Sequence, residues 1–171
     1  MRHKIVTMVV CAVAVLASSV TGAGAAQAAP VSARTGVFVP IRNNQTGLCL
    51  QPETLDEFAQ VVQEPCNGQP MQGWLFQRVT GTRYKFINQA DGLCLDEFDR
   101  LAIGARVLMG QCVRISNEEW QTHVTLPFFA APLESRSGNT DTEFCAEAGF
   151  GRAILMTGCT GTTFQTWNIG A

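Results

Sequence analysis

The stretch NQADGLCLDE, residues 88–97, decides how the rest of the chain is read. A turn-forming run of Asn, Asp and Gly opens into a short alternating segment around Cys94. The same arrangement stands at 43–52, NNQTGLCLQP, around Cys49, and at 139–148, NTDTEFCAEA, around Cys145. Working outward, a second cysteine follows each one: Cys66 in VVQEPC, Cys112 in VLMGQC and Cys159 in LMTGC. A tryptophan then closes each unit, Trp74 in QGW, Trp120 in EEW and Trp167 in QTW. Second cysteine and tryptophan are eight positions apart every time (66 to 74, 112 to 120, 159 to 167), and successive tryptophans are 46 and 47 apart. A register kept three times marks an internal repeat, with copies at approximately 37–80, 81–125 and 126–171.

Within each copy the pattern is strand and turn, with no long amphipathic helix. Four β-rich runs recur: GVFVPI, LCLQ, AQVVQ and GWLFQRV; YKFIN, LCLDE, RVLMG and WQTHV; FFAAPLE, FCAEA, AILMT and TWNIG. Twelve strands in an all-β fold are therefore expected. Repeats of this length suit a propeller blade or a trefoil unit, but three blades are too few to close a propeller, and three units closing on themselves fit better.

The ends bound the environment. Arg2, His3 and Lys4 form a basic start, Ile5 to Leu16 an apolar run, and Ala26-Gln27-Ala28 a small-residue cleavage site, which together read as a signal peptide over 1–28. A membrane-spanning helix needs about 20 apolar residues. This run is shorter and breaks into Ser18, Ser19, Thr21 and Gly22, so cleavage is expected, with no membrane span and an extracellular, bacterial-type secreted product. Cys11 leaves with the signal, and the six cysteines that remain form an even set, as a disulfide framework in an oxidising compartment requires. Residues 29–171 are expected to form a single domain, since that length supports one hydrophobic core and suits two poorly. They carry ten Lys and Arg against fourteen Asp and Glu, a net charge of −4 with no basic run, which argues against nucleic acid as a partner.

These motifs resemble the ricin-type β-trefoil lectin family, whose repeats carry a Gly-Leu-Cys-Leu-Asp-like segment, a second cysteine and a Gln-x-Trp ending. The resemblance runs from about Val37 to Ile169 and implies a β-trefoil with pseudo-threefold repeats. Counting alone leaves the cysteine pairing open. The family's within-repeat arrangement implies Cys49 with Cys66, Cys94 with Cys112 and Cys145 with Cys159, each worth about 3 kcal/mol in the chain-entropy model. The three tryptophans, repeated in one register beside apolar neighbours, are expected in the core rather than on a sugar-stacking surface. Gln72 and Gln165, two residues earlier, are expected to tie a loop to the backbone; Glu118 takes that place in the second copy, where the loop is held differently or the carboxylate is more exposed.

The same resemblance implies what a sugar pocket needs: an Asp two residues after the first cysteine, a stacking aromatic two before the second, and an Asn just before the Gln-x-Trp segment. A carboxylate accepts two hydroxyl donors at once through charge-assisted bonds. The first copy offers Gln51, Glu64 and Met71 at these places and the third offers Glu147, Thr157 and Phe164, so neither is expected to bind. The second copy keeps Asp96 and Asn117, has Gly110 at the stacking position, and offers Phe98 as an apolar face from the other side. The candidate carbohydrate-binding residues are thus Asp96, Asn117, Phe98 and Glu118. The competing view is that Asp96, Glu97 and Asp99 are only a solvated acidic loop; they lack the spacing and glycine of a calcium loop, and no metal or other cofactor is expected.

Catalysis is not expected either. After the signal a single histidine remains, His123, which alternates with Thr122 and Val124 in an expected strand beside Trp120 and suits a structural role. The expected function is non-catalytic, lectin-like binding of carbohydrate, a galactose-like sugar or a polysaccharide, at one weak site. The alternative is a secreted accessory subunit of a toxin or hydrolase, with decayed sugar sites and a protein partner.

Overall fold

Along Arg83–Asn88 the side chains alternate, with Tyr84 and Phe86 buried while Arg83 and Lys85 lie nearer the surface, the period of two that a half-buried strand requires. The computed structural model describes residues 36–98, 102–113, 116–137, 140–149 and 151–170. Its strands are β1 (Ile41–Asn43), β2 (Cys49–Pro52), β3 (Val61–Glu64), β4 (Trp74–Thr80), β5 (Arg83–Asn88), β6 (Cys94–Asp96), β7 (Leu108–Gly110), β8 (Trp120–Gln121), β9 (Phe128–Pro132), β10 (Glu134–Ser137), β11 (Thr140–Ala148), β12 (Ile154–Gly158) and β13 (Thr166–Ile169). Among the described residues there is no α-helix. A single 3-10 turn precedes each tryptophan, at Pro70–Gln72, Ser116–Glu118 and Thr163–Gln165.

Thirteen strands stand where twelve are expected because FFAAPLE changes partners at the buried Leu133: β9 pairs with β13, while β10 pairs with β8 and β11. WQTHV is a strand only over Trp120–Gln121, since His123 has a φ of 57° that a strand cannot contain.

Pairing closes the chain on itself. β1 runs antiparallel to β13, β13 to β9, β10 to β8, β8 to β5 and β5 to β4, and Val39 just before β1 bridges back to Trp74 in β4. The first and fourth segments of each copy thus form a closed barrel, which leaves no open edge there. The hairpins β2–β3, β6–β7 and β11–β12 cap it, joined in a ring by the bridges Gln60↔Leu108, Arg106↔Leu155 and Ala153↔Val62. The architecture is a β-trefoil.

Inside, Trp74, Trp120 and Trp167 are fully buried. Their indole N–H groups donate to the carbonyls of Leu50, Leu95 and Ala146 at 3.0, 3.0 and 3.2 Å, each one residue after a first cysteine. Every copy is therefore tied twice, by its indole from fourth segment to second and by its disulfide across the hairpin: Cys49–Cys66, Cys94–Cys112 and Cys145–Cys159.

The pairing also fixes which residues correspond. Val39, Tyr84 and Ala131 stand opposite the three tryptophans, so the next residues, Pro40, Lys85 and Pro132, are equivalent. In the hairpins Gln60, Arg106 and Ala153 occupy one position, so Phe58, Gly104 and Gly151 occupy another, eight residues before the second cysteine in each copy.

Candidate functional site

The loop ahead of each tryptophan is built around one buried side chain. Gln72 accepts from the Asn67 N–H at 2.8 Å and donates to Gln51 Oε1 at 2.8 Å and the Pro65 carbonyl at 3.0 Å. Gln165 accepts from the Thr160 N–H at 2.7 Å and donates to Glu147 Oε2 and the Gly158 carbonyl, each at 2.8 Å. In both copies the amide reaches the residue two places after the first cysteine. Glu118 has no proton to give. Its Oε1 accepts from the Val113 N–H at 2.8 Å, while Oε2 pairs with the Lys85 ammonium, which also donates to the Val113 carbonyl. The loop is held differently, as one of the two sequence expectations had it, and the carboxylate is fully buried rather than exposed. Lys85, standing where the other copies have proline, supplies the missing donor. Beside it, Gln77, Arg78, Lys85, Cys112, Val113 and Glu119 line a cleft of about 410 Å³.

Without an amide at 118 to engage it, Asp96 turns elsewhere. Its Oδ1 accepts from Asn117 Nδ2 at 2.8 Å and from the Phe98 backbone N–H at 2.6 Å. Asp96 and Glu97 are buried, at 2% and 0% exposure, so neither belongs to a solvated acidic loop; Asp99 lies outside the described residues. Gly110 is small for a physical reason: a Cβ there would stand 2.6 Å from Asp96 Oδ2, so a stacking aromatic at that place would displace the carboxylate. Phe98 stands instead at the edge of this cluster, half-buried, with its ring centroid 4.8 Å from that of Phe58 at a 58° tilt.

The other copies engage their equivalent positions with neighbouring side chains. Gln51 is engaged by Gln72, and Glu64 pairs with Arg152 from the third copy. Glu147 accepts from Thr157 Oγ1 at 3.1 Å and from Gln165. The third hairpin is also the shortest, its cysteines 14 apart against 17 and 18. His123 is half-exposed in a turn, its Nε2 2.5 Å from Glu134 Oε2. Among the described residues no three His, Cys, Asp or Glu side chains gather where they would hold a metal ion.

The ricin-type β-trefoil lectin domain model matches residues 37–128, more than half of the chain. The chain belongs to this family. The matched stretch of this ricin-type lectin domain takes in the first two copies, while the contracted third lies almost wholly beyond it. No individual curated protein matches the chain by sequence. Solved structures share the fold. A designed threefold-symmetric protein, ThreeFoil, is 21% identical with a TM-score of 0.66, over 77% of this chain and 96% of that one. An exo-β-1,3-galactanase from Clostridium thermocellum is 23% identical with a TM-score of 0.66, over 79% of this chain and 30% of that one. A Polyporus squamosus lectin bound to a sialylated epitope is 15% identical with a TM-score of 0.61, over 77% and 47%. The chain thus spans less than half the length of those two natural proteins.

Two residues near this cluster went unmarked in the sequence: Lys85, whose role depends on the buried charge it meets, and Phe58. A signal for Phe58 did exist, since eight residues before the second cysteine the other copies carry glycine and the first carries an aromatic.

Proposed function

We propose that this chain is a secreted, non-catalytic carbohydrate-binding protein with one sugar site in the second copy, at Asp96, Asn117 and Phe98, with Glu118 and Lys85 supporting it from below. The observation that carries the proposal is the 2.8 Å contact between Asp96 and Asn117 beside the half-buried Phe98. A carboxylate and an amide side by side offer acceptors and donors to adjacent hydroxyls, and the aromatic offers a face to the C–H groups of a sugar ring. In the first and third copies the corresponding side chains are engaged by a buried glutamine. A galactose-like sugar, free or within a polysaccharide, suits such a shallow site, with Kd on the order of 1 mM, near −4 kcal/mol.

The test is retention of the secreted protein on insoluble β-1,3-galactan, xylan and chitin, together with a glycan array. Binding by the wild type that Asp96→Ala abolishes, in a variant that still unfolds cooperatively, supports the site. Unchanged binding by Asp96→Ala moves the site elsewhere, and no retention of the wild type on any of these glycans overturns the proposal.

A further inference from the structure

Position by position, Phe58 occupies a place that two of the three copies give to glycine. Gly104 is there in the second copy with a φ of 84°, Gly151 in the third, and Phe58 itself has a φ of 68°. The backbone partners agree, for the Phe58 N–H donates to Met109 O and the Gly104 N–H to its equivalent Met156 O, each at 2.8 Å. Left-handed backbone is unfavourable for a residue with a Cβ, and most so for a bulky one. The first copy therefore keeps a strained aromatic where the second has a left-handed glycine; Gly151 in the third is not left-handed, and its N–H donates to Gly149 O instead.

Core packing does not account for it. Phe58 is 57% exposed, and its ring contact is with Phe98, a second left-handed non-glycine residue with a φ of 54°. Phe98 is held in that conformation by the hydrogen bond from its N–H to Asp96, which Asn117 steadies from the other side. Two tilted rings from adjacent copies are thus set at the surface by strained backbone, a cost that clusters at ligand contacts. Polar groups stand beside them: Glu57, next in sequence to Phe58, accepts from Gln111 Nε2 at 3.2 Å, and both side chains are exposed.

We propose that the surface touching the sugar is a platform shared between copies, the rings of Phe58 and Phe98, with Glu57 and Gln111 bonding hydroxyls at its rim. Asp96, besides its place in the site, fixes the second ring of this platform by accepting from the Phe98 N–H. The occupant is a pyranose ring of a polysaccharide, whose C–H face covers the rings while its equatorial hydroxyls reach the rim. This rests on the carbohydrate-binding proposal above and assigns the contacts within it.

The experiment uses the wild-type protein and the glycan among β-1,3-galactan, xylan and chitin that retains it. Phe58→Gly removes the ring and relieves the backbone, so affinity falls about tenfold or more while Tm drops by no more than about 3 °C. Phe58→Trp keeps a face and restores binding. Phe98→Gly, which removes the second ring, lowers affinity by a similar factor. Wild-type binding that survives Phe58→Gly overturns the platform and leaves the carbohydrate-binding proposal standing. Absence of any wild-type binding overturns both.

Discussion

The Lys85–Glu118 pair sets up a double-mutant cycle whose outcome follows from burial. Glu118 is fully buried and Lys85 is 12% exposed, so neither charge has much water to fall back on. Lys85→Met leaves the carboxylate, among the described residues, with the Val113 N–H. Breaking a buried pair from one side costs about 3–5 kcal/mol, and slight access of water to this site places the loss near 3 kcal/mol. Glu118→Gln is milder, because the amide can take up the bonds seen for Gln72 and Gln165 while Lys85 keeps the Val113 carbonyl; the expected loss is about 1–2 kcal/mol. The double variant restores an apolar residue opposite a glutamine, as the Pro40 and Pro132 copies have, and should lie within about 1 kcal/mol of wild type. The coupling energy is then about 3 kcal/mol, a large part of the about 5–15 kcal/mol that holds a domain folded. Equilibrium urea unfolding of the disulfide-intact protein measures it, and molar salt should leave it nearly unchanged, since a buried pair is poorly screened. Losses that simply add, with coupling under about 0.5 kcal/mol, would refute the claim that Lys85 compensates the acid at 118.

Two further outcomes follow from single groups. Trp120→Phe leaves the buried Leu95 carbonyl without its 3.0 Å indole donor and opens a void beside it, so the urea midpoint should fall by the equivalent of about 2–4 kcal/mol with the slope unchanged; a loss under about 1 kcal/mol contradicts the tying role of the indole. Burial raises the Asp91 carboxyl above its ordinary 3.8, against the opposing pull of the Leu93 N–H and its own, and its Oδ2 has no hydrogen-bond partner among the described residues. The folded form then binds the proton more tightly than the unfolded chain, so this group's contribution is most favourable below pH 3.8 and is eroded as pH rises from there through the raised value. Asp91→Asn, which keeps an acceptor for Leu93, should raise Tm near neutral pH and give no gain at about pH 3; a gain equal at both would show that ionisation is not involved.

The barrel was legible in the sequence because burial repeats. A tryptophan eight residues after a cysteine, three times over, can only be accommodated alike in all three copies, and the turns and alternating runs around it agree. The strands that were misjudged are those where one side chain or a change of partner overrides local pattern: Leu133 passes FFAAPLE from one neighbour to the next, and the left-handed φ of His123 ends WQTHV early. At the candidate site, the sequence pointed to Asp96, Asn117 and Phe98 together, and the structure places them in contact. What it did not reveal was that Asp96 and Glu118 are buried. Exposure is set by how loops from different copies fold over one another, and no local pattern around CLDE or NEE encodes it. Lys85 was invisible for the same reason: a lysine between Tyr84 and Phe86 reads as the outward residue of a strand until the acid beneath it is known.

The swap at 85 and 118 and the aromatic pair at the surface belong to one chain of causes. In the first and third copies a glutamine amide donates to the residue two places after the first cysteine, at 2.8 Å in both. An acid at 118 removes that donor and sets a second carboxylate at the position that faces Asp96, which is tolerable only if each finds its own. Lys85 takes Glu118, and Asp96 turns to Asn117 and to the N–H of Phe98, which is what holds Phe98 against Phe58. Glu118→Gln therefore has a second readout beyond stability. It returns to Asp96 the amide donor that its counterparts have, and that donor competes with the Phe98 N–H for the same carboxylate. Retention on the bound polysaccharide should weaken by about threefold to tenfold in a variant that remains folded, and adding Lys85→Met should recover stability without recovering binding. Recovery of both together would mean that the variant had acted through general destabilisation, and that the turn at Phe98 does not depend on which donor Asp96 is given.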